Sequence, residues 1–411
     1  MKLNIKKSKA KENFNWSILL MISITSIMAG IYRDGFAALF PFLQKDFNLT
    51  RAQLGLHSTL FYFTSAFVAI YAGRLVDLKG SKWGLMLGSS IMGIFYILHS
   101  IIPNFTAVLF MAALTGLSVS LNLPTVNKCI VSWFPQKQRS TALGLQSMAF
   151  PTGGLLGAIL LPYLGSIFGW RKTIILPGLM ALLLVLFISH FYQEKRKINN
   201  HLQENFKDNV SFWKYFLQLI KNRELIKISG FGFFLGMMGN SITAHFTLFL
   251  FLDYGLSETV AGVGFAIVQL GSIVGRAAWG IFCDKILESD KRKTFLYMGL
   301  LFTIITMILS LVLKNYNPPM VILFFLAFLV GFFGYGWPGL FNASVTETVG
   351  EDNVGIAIGL ASLFMRSGMM LAPPIFGYIA DLRGSYDFSW FLLGIIMFVA
   401  SLGQYLSFSK K

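Results

Sequence analysis

The sequence predicts an all-α membrane protein of twelve transmembrane helices, arranged as two pseudo-symmetric six-helix bundles with both termini cytoplasmic. Three observations carry that expectation. Apolar runs of about 20 residues, long enough at ~1.5 Å per residue to cross a ~30 Å hydrocarbon core, recur along the whole chain. One long polar stretch divides these runs six and six. A segment of the fifth run reappears in the eleventh.

Composition leaves little alternative to a membrane. Of 411 residues 55% are hydrophobic and 13% charged, with 41 phenylalanines, so an ordinary water-soluble surface cannot be assembled. The runs fall near 16–43, 54–72, 84–101, 106–133, 141–164, 169–192, 227–252, 258–282, 294–313, 319–345, 354–379 and 388–408. Segments of this length exclude a transmembrane β-barrel, whose strands alternate over about ten residues. The first run is too long for a cleaved signal peptide and has no small-residue cleavage site.

A formal charge of +16 suggests nucleic acid, but the positions of the basic residues argue otherwise. With the N-terminus inside, most of the 34 Lys and Arg lie in cytoplasmic segments, among them Lys2, Lys6, Lys7, Lys9, Lys11 and Lys291 to Lys293. That is the positive-inside bias of a multi-pass protein of the cytoplasmic membrane. The partners expected are therefore the lipid bilayer and a small molecule, with no nucleic acid, and the chain is expected to be a monomer. Cys129 and Cys283 both fall toward the inner side, where a disulfide is not expected, and no metal-ligand spacing occurs.

The polar stretch "QEKRKINNHLQENFKDNVSFWKYFLQLIKNREL" (193–225) gives the domain organisation. An N-terminal bundle over 1–192 and a C-terminal bundle over 227–411 are joined by a cytoplasmic linker at 193–226. "ALGLQSMAFPTG" from Ala142 recurs as "AIGLASLFMRSG" from Ala357, aligning Gly144 with Gly359 and Gly153 with Gly368. Parallel halves related by an axis along the membrane normal belong to one large class of secondary transporter.

"GRLVDLKGSK" (73–82), with the weaker "GIFCDKILESDKRK" from Gly280, resembles the cytoplasmic loop signature of the major facilitator superfamily. Gly73 and Asp77 are four residues apart and share a helix face, the glycine permitting close backbone approach and the carboxylate suiting a neighbouring helix N-terminus. The resemblance implies that Asp77, with Lys79 and Lys82 beside it, meets the start of the eleventh span near Asn353 and closes the inner mouth in the outward-facing state. Gly280 and Asp284 would act in the same way against the fifth span. The plainer reading of all these charges is a solvated loop.

Charged residues inside spans are costly, about 2.5–3.5 kcal/mol for a central arginine on insertion scales, and are functional candidates for that reason. Here they are absent from the centres of the third, sixth, ninth and twelfth spans and occur as Arg33, Lys128, Arg276 and Arg366 in the first, fourth, eighth and eleventh. In the resembled fold the former four helices face lipid and the latter line a cavity or an interface. Lys128 is close enough to a mouth to snorkel, and its expected role is structural. Guanidinium stays ionised and offers a planar donor fork for carboxylate or phosphate, so Arg33, Arg366 and Arg276 are the candidate substrate contacts.

The seven-residue gap from Arg33 to Pro41, "LPTVNKCIVSWFPQKQR" (123–139) and "FGW" (168–170) resemble the organic-anion branches, the anion:cation symporters and organophosphate:phosphate antiporters. The resemblance implies that Arg33 contacts the substrate anion. The chain departs from both branches, since 107–127 carries no charge and 228–252 offers only His245. Arg366 stands where the first half has Pro151, and is the candidate second clamp. Asp34 could simply pair with Arg33, although successive helical residues point about 100° apart. Otherwise Asp34, the one acid well inside a span, or His245 is the candidate proton-coupling group, and the coupling ion is a proton or sodium. Tyr32, Asn122, Gln146, Asn240, Trp337 and Asn342 are candidate cavity-lining contacts, with Gln269 beside them, though helical phase does not separate cavity from interhelix contact.

The function expected is secondary active transport of a small organic anion (carboxylate, sugar acid or phosphate ester) by alternating access. Proton-coupled export of drugs or other small metabolites on the same fold is the alternative. The fifth span has Gly144, Gly153 and Gly157 at an exporter-like spacing, but Ala158 and Leu161 replace the proline and glycine of that signature. A transporter-like sensor is a third reading, and short loops outside 193–225 leave it little output surface. An enzyme is not expected: no phosphate-cradling glycine loop, nucleophile-and-base set or cofactor motif is present.

Overall fold

The computed structural model describes residues 2–194, 219–312, 318–349 and 354–407. Its regular structure is helical throughout the described residues, and twelve spans are counted when one bent helix is taken as a single crossing. The linker expected at 193–226 lies, over 195–218, outside the described residues.

Helix α1 covers 2–47 in pieces: Lys2–Gly30, a π-helical turn Ile31–Gly35, Phe36–Ala38 and Phe40–Phe47. Pro41 has no N–H to give the carbonyl four residues back, and the break at Leu39 falls where that bond is missing. Then follow α2 (Arg51–Lys79), α3 (Ser81–Leu98), α4 (Phe105–Trp133), α5 (Gln136–Phe168) and α6 (Trp170–Phe191). The second bundle holds α7 (Arg223–Leu252), α8 (Glu258–Lys285), α9 (Lys291–Met307, ending in a π turn), α10 (Met320–Val349), α11 (Val354–Arg383) and α12 (Asp387–Ser407). Helix α10 is broken at Tyr335–Trp337, ahead of Pro338. Helix α2 bends by 54° between Arg51–Ala69 and Tyr71–Lys79.

Odd-numbered helices run away from the end that holds the chain termini, and even-numbered helices return to it. Lys227 Nζ donates to Ser407 O at 3.1 Å, tying the start of α7 to the end of α12 at that terminal end. Between the bundles, α2 packs on α11 and α5 on α8. Glycine makes the second contact close: a Cβ at Gly262 of α8 would run into Ala158 O and the Pro162 ring of α5.

At the distal end the halves are bolted together. Asp381, near the end of α11, accepts from the amides of Arg51 and Ala52 at 3.0 and 2.9 Å, so a carboxylate of one half caps the first turn of a helix in the other. The Arg51 side chain donates to Gly384 O at 3.0 Å and lies 3.6 and 3.9 Å from Asp381 and Asp253. Lys45 of α1 pairs with Glu258 of α8, and Thr59 Oγ1 donates to Met370 O at 2.6 Å. Toward the terminal end the same helices diverge. Gly73 of α2, Gly144 of α5, Gly280 of α8 and Gly359 of α11 each face open space where a Cβ would stand. The protein is thus closed at its distal end and open at its terminal end.

Charge-assisted hydrogen bonds contribute about 1.5–3 kcal/mol each, so the distal closure is expected to be sensitive to Asp381. In a background without Cys129 and Cys283, Asp381→Ala should speed labelling of Ser58→Cys by an impermeant thiol reagent from the distal side by roughly tenfold or more. An unchanged rate would show that this cap does not hold the closure.

Candidate functional site

The centre of the molecule is built on the π-helical turn of α1. This turn widens the helix at Arg33 and Asp34, and the long arginine folds back onto its neighbour. Nε and Nη2 of Arg33 donate to the two Asp34 oxygens at 2.5 and 2.9 Å. The 100° separation expected for adjacent residues therefore does not keep them apart, and the two side chains pair in this arrangement. Nη1 donates to Tyr62 Oη of α2 at 2.9 Å, and the guanidinium lies over the Phe150 ring of α5, 4.4 Å from its centre. Three donors are engaged, and the Arg33 side chain keeps 21% exposure.

Asp34 is fully buried and also accepts from Gln269 Nε2 of α8 at 2.8 Å, a bond between the halves. Room for it comes from Gly154 of α5, where a Cβ would stand 2.8 Å from Asp34 Oδ2.

Two further guanidiniums flank this pair. Arg366 of α11 donates from Nη1 to both the carbonyl and the hydroxyl of Ser65, the latter at 2.8 Å. Arg276 of α8 donates from Nη1 to Ser147 O of α5 at 3.0 Å, while its Nε is buried without a partner. Both are half-buried, and neither pairs with an acid among the described residues.

The other sequence candidates divide into those near this centre and those elsewhere. Tyr32 is buried with its ring 4.0 Å from that of Tyr96, and it lines a small cavity, about 290 Å³ of atom-free space, together with Arg33, His57, Tyr62 and Thr243. Gln146 Nε2 donates to Ser26 Oγ at 2.8 Å and Ser26 in turn to Asn122 Oδ1 at 3.4 Å, a polar chain linking α5, α1 and α4. Both amides are half-buried, and Asn122 lines a second cavity with Ser89 and Ser118.

Three expectations need correction. Asn240 is buried and donates to Met369 O at 2.6 Å, which makes it a brace between α7 and α11 rather than a cavity contact. Trp337 is buried, donates to Gly334 O at 3.0 Å and packs on Phe341, closing the α10 break. His245 has both ring nitrogens engaged within the C-terminal half, with Pro373 O at 2.8 Å and Tyr386 Oη at 3.0 Å, and stacks on Phe376. Nε2 must donate to the Pro373 carbonyl and Nδ1 shares a hydrogen bond with the Tyr386 hydroxyl, so the ring is committed to packing within its own half. Asn342 is exposed on α10 beyond the break, and its side chain bonds to no described residue.

The loop residues do not bridge the halves in this arrangement. Asp77 is 61% exposed and lies 3.7 Å from Lys128 Nζ of its own half, rather than against α11. Lys128 donates to the carbonyls of Val76 and Asp77 at 2.6 and 3.0 Å, satisfying the frayed end of α2. Lys79 stacks over Trp83 and Lys82 donates to Ser189 O. Asp284 is exposed and accepts from Ser289 Oγ at 3.4 Å. Asn353 lies outside the described residues. Sequence reasoning missed Tyr62, Ser65, Ser147, Phe150 and His57, none of which is unusual in an apolar helix.

The model of the Major Facilitator Superfamily matches residues 22–288 and again 228–409. The chain belongs to the major facilitator superfamily. It is accordingly an integral, multi-pass protein of the cytoplasmic membrane. A probable galactarate/D-glucarate transporter of Bacillus subtilis (strain 168) is 24% identical, over 96% of this chain and 92% of that protein. A hexuronate transporter of the same organism is 22% identical over 94% and 92%. A quinolone resistance protein of Staphylococcus aureus (strain MRSA252) is 23% identical over 84% of each chain. Among solved structures, a bacterial homologue of the human lysosomal transporter Spinster, described as inward-facing, superposes with TM-scores of 0.76 occupied and 0.79 unoccupied. Its identity is 16% over 96% of this chain and 97% of that one.

The Asp34–Gln269 bond predicts a measurable effect. Gln269→Leu removes a donor from a buried carboxylate and should destabilise the detergent-solubilised protein by about 1–3 kcal/mol. A thermal unfolding midpoint equal to the parent's would argue against the bond.

Proposed function

We propose that this protein is a secondary active transporter of a small organic anion of the sugar-acid type, moved by alternating access. The observation that carries the reading is the concentration of guanidinium at the centre: Arg33, Arg276 and Arg366 against the single carboxylate of Asp34. A site of that sign attracts carboxylate or phosphate and repels drug cations. Relatives named for galactarate, glucarate and hexuronate support it, and the positive centre weighs against export of the kind named for the quinolone resistance relative.

In this reading the terminal end faces the cytoplasm, as the positive-inside bias requires, and the bundles 1–192 and 227–411 rock about the centre. The present arrangement is then the inward-open state. Gly73 and Asp77, with Lys79 and Lys82, and the equivalent Gly280 and Asp284 serve the state in which the terminal end closes, which is why none of them bridges the halves here. Asp34 is the coupling group. Ionised, it occupies two of the Arg33 donors; protonated, it releases them to the substrate carboxylate, so proton and anion bind together. The path lies within one chain, which acts as a monomer and carries its ligand without changing it.

Reconstitution in proteoliposomes tests this. Arg33→Ala should abolish exchange of galactarate or hexuronate against the same acid. Asp34→Asn should keep exchange and lose accumulation driven by a proton gradient. Exchange of neither acid by the parent, with uptake of cationic drugs instead, would overturn the reading.

A further inference from the structure

The three arginines at the centre are not equivalent, and the difference carries a statement about substrate charge. Arg33 is neutralised by Asp34 on two of its nitrogens. Arg276 and Arg366 have no acid partner among the described residues, so two positive charges stand in excess in the membrane interior. Arg276 keeps an unpartnered, buried Nε, a donor with nothing to receive it.

The two helices that receive these side chains fix where they stand. On α2, Tyr62 holds Arg33 and Ser65 holds Arg366. On α5, Phe150 lies under Arg33 and Ser147 receives Arg276. In both helices the two positions are three residues apart, nearly one turn of about 5.4 Å. Helix α2 runs toward the terminal end and α5 away from it, so both displacements point to the open end. Arg276 and Arg366 therefore stand one turn on the open side of Arg33, reaching it from opposite walls of the C-terminal half, α8 and α11.

We infer that Arg276 and Arg366 form a second anion subsite and that the cargo is a dicarboxylate, charged at both ends, rather than a monocarboxylate. This rests on the organic-anion reading and deepens it. With Asp34 protonated the centre carries three guanidinium charges: a monocarboxylate leaves two of them unmatched, while a dicarboxylate with one group at Arg33 and the other between Arg276 and Arg366 leaves one. Separation by about a helical turn suits charges at the two ends of a short polyol chain. Planar guanidinium forks from two directions suit a carboxylate or phosphate received between them.

The test is titration calorimetry on the purified full chain at neutral pH and fixed ionic strength with three probes: galactarate, galactonate and hexose 6-phosphate. Galactarate should bind at least about tenfold more tightly than galactonate, which shares the galactarate carbon chain but carries one charge, and more tightly than hexose 6-phosphate, whose charge sits on a single group. Tighter binding of hexose 6-phosphate than of galactarate overturns the two-ended arrangement. Arg276→Gln and Arg366→Gln should each weaken galactarate binding at least about tenfold more than they weaken galactonate binding, which erases the preference. Retained galactonate binding shows that the variants are folded, and their ligand-free unfolding temperatures should equal or exceed the parent's because an uncompensated cation has been removed. Equal binding of galactarate and galactonate by the parent overturns the inference. So does a fall in unfolding temperature with equal loss of both acids in the variants, which marks the arginines as structural. If none of the three probes binds, the organic-anion reading itself falls and takes this one with it.

Discussion

Arg33 and Asp34 hold each other in the middle of the membrane, and much of the surrounding packing is shaped by that pair. An isolated arginine there costs about 2.5–3.5 kcal/mol on insertion scales, and an unpaired carboxylate is costly too. Adjacent on a π-helical turn, each answers the other's charge, and the remaining valence is met by Tyr62, Gln269 and the Phe150 ring. This accommodation reaches into the backbone. Helix α1 crosses α5 so closely that Cβ atoms at Gly30 and Gly153 would meet main-chain atoms of the facing helix, and Gly154 leaves the space that Asp34 fills. Because Gln269 belongs to α8, the same carboxylate also registers the position of the second half.

The two ends of the molecule use one device in opposite conditions. Helices α2 and α11 lie against each other in antiparallel sense, and each carries an aspartate close to its C-terminal end, Asp77 and Asp381. At the distal end Asp381 caps the first turn of α2, where free amides and the helix dipole favour an anion. At the terminal end Asp77 stays with Lys128 of its own half. An exposed pair of this kind is weak, usually below about 1 kcal/mol, so little holds Asp77 away from a better partner. Asp381 is thus a tight cap between the halves in this arrangement, and Asp77 a weakly held carboxylate within one of them.

Residues of one chemical type took opposite roles according to packing. Lys128 and Arg276 are both cations within apolar runs; the first reaches backbone carbonyls at a helix end, and the second retains an unmatched charge near the centre. Asn122 and Asn240 are both amides at helical positions of similar polarity. Asn122 borders a cavity and Asn240 braces two helices.

The sequence by itself determined the number and length of the helices, because hydrocarbon admits only long apolar segments with internally satisfied backbones. It also determined the duplication, from the repeat at Ala142 and Ala357, and which cations lie within apolar runs, Arg33, Arg276 and Arg366 among them, because a cation stands out there for an energetic reason that local composition reveals. Only the tertiary structure decided how those charges are satisfied. That Arg33 turns to its neighbour, that His245 and Trp337 serve packing, and that Tyr62 and Ser65 space two arginines by a turn all depend on distances between helices far apart in the chain. A helical repeat shows which residues share a face. It does not contain what that face meets.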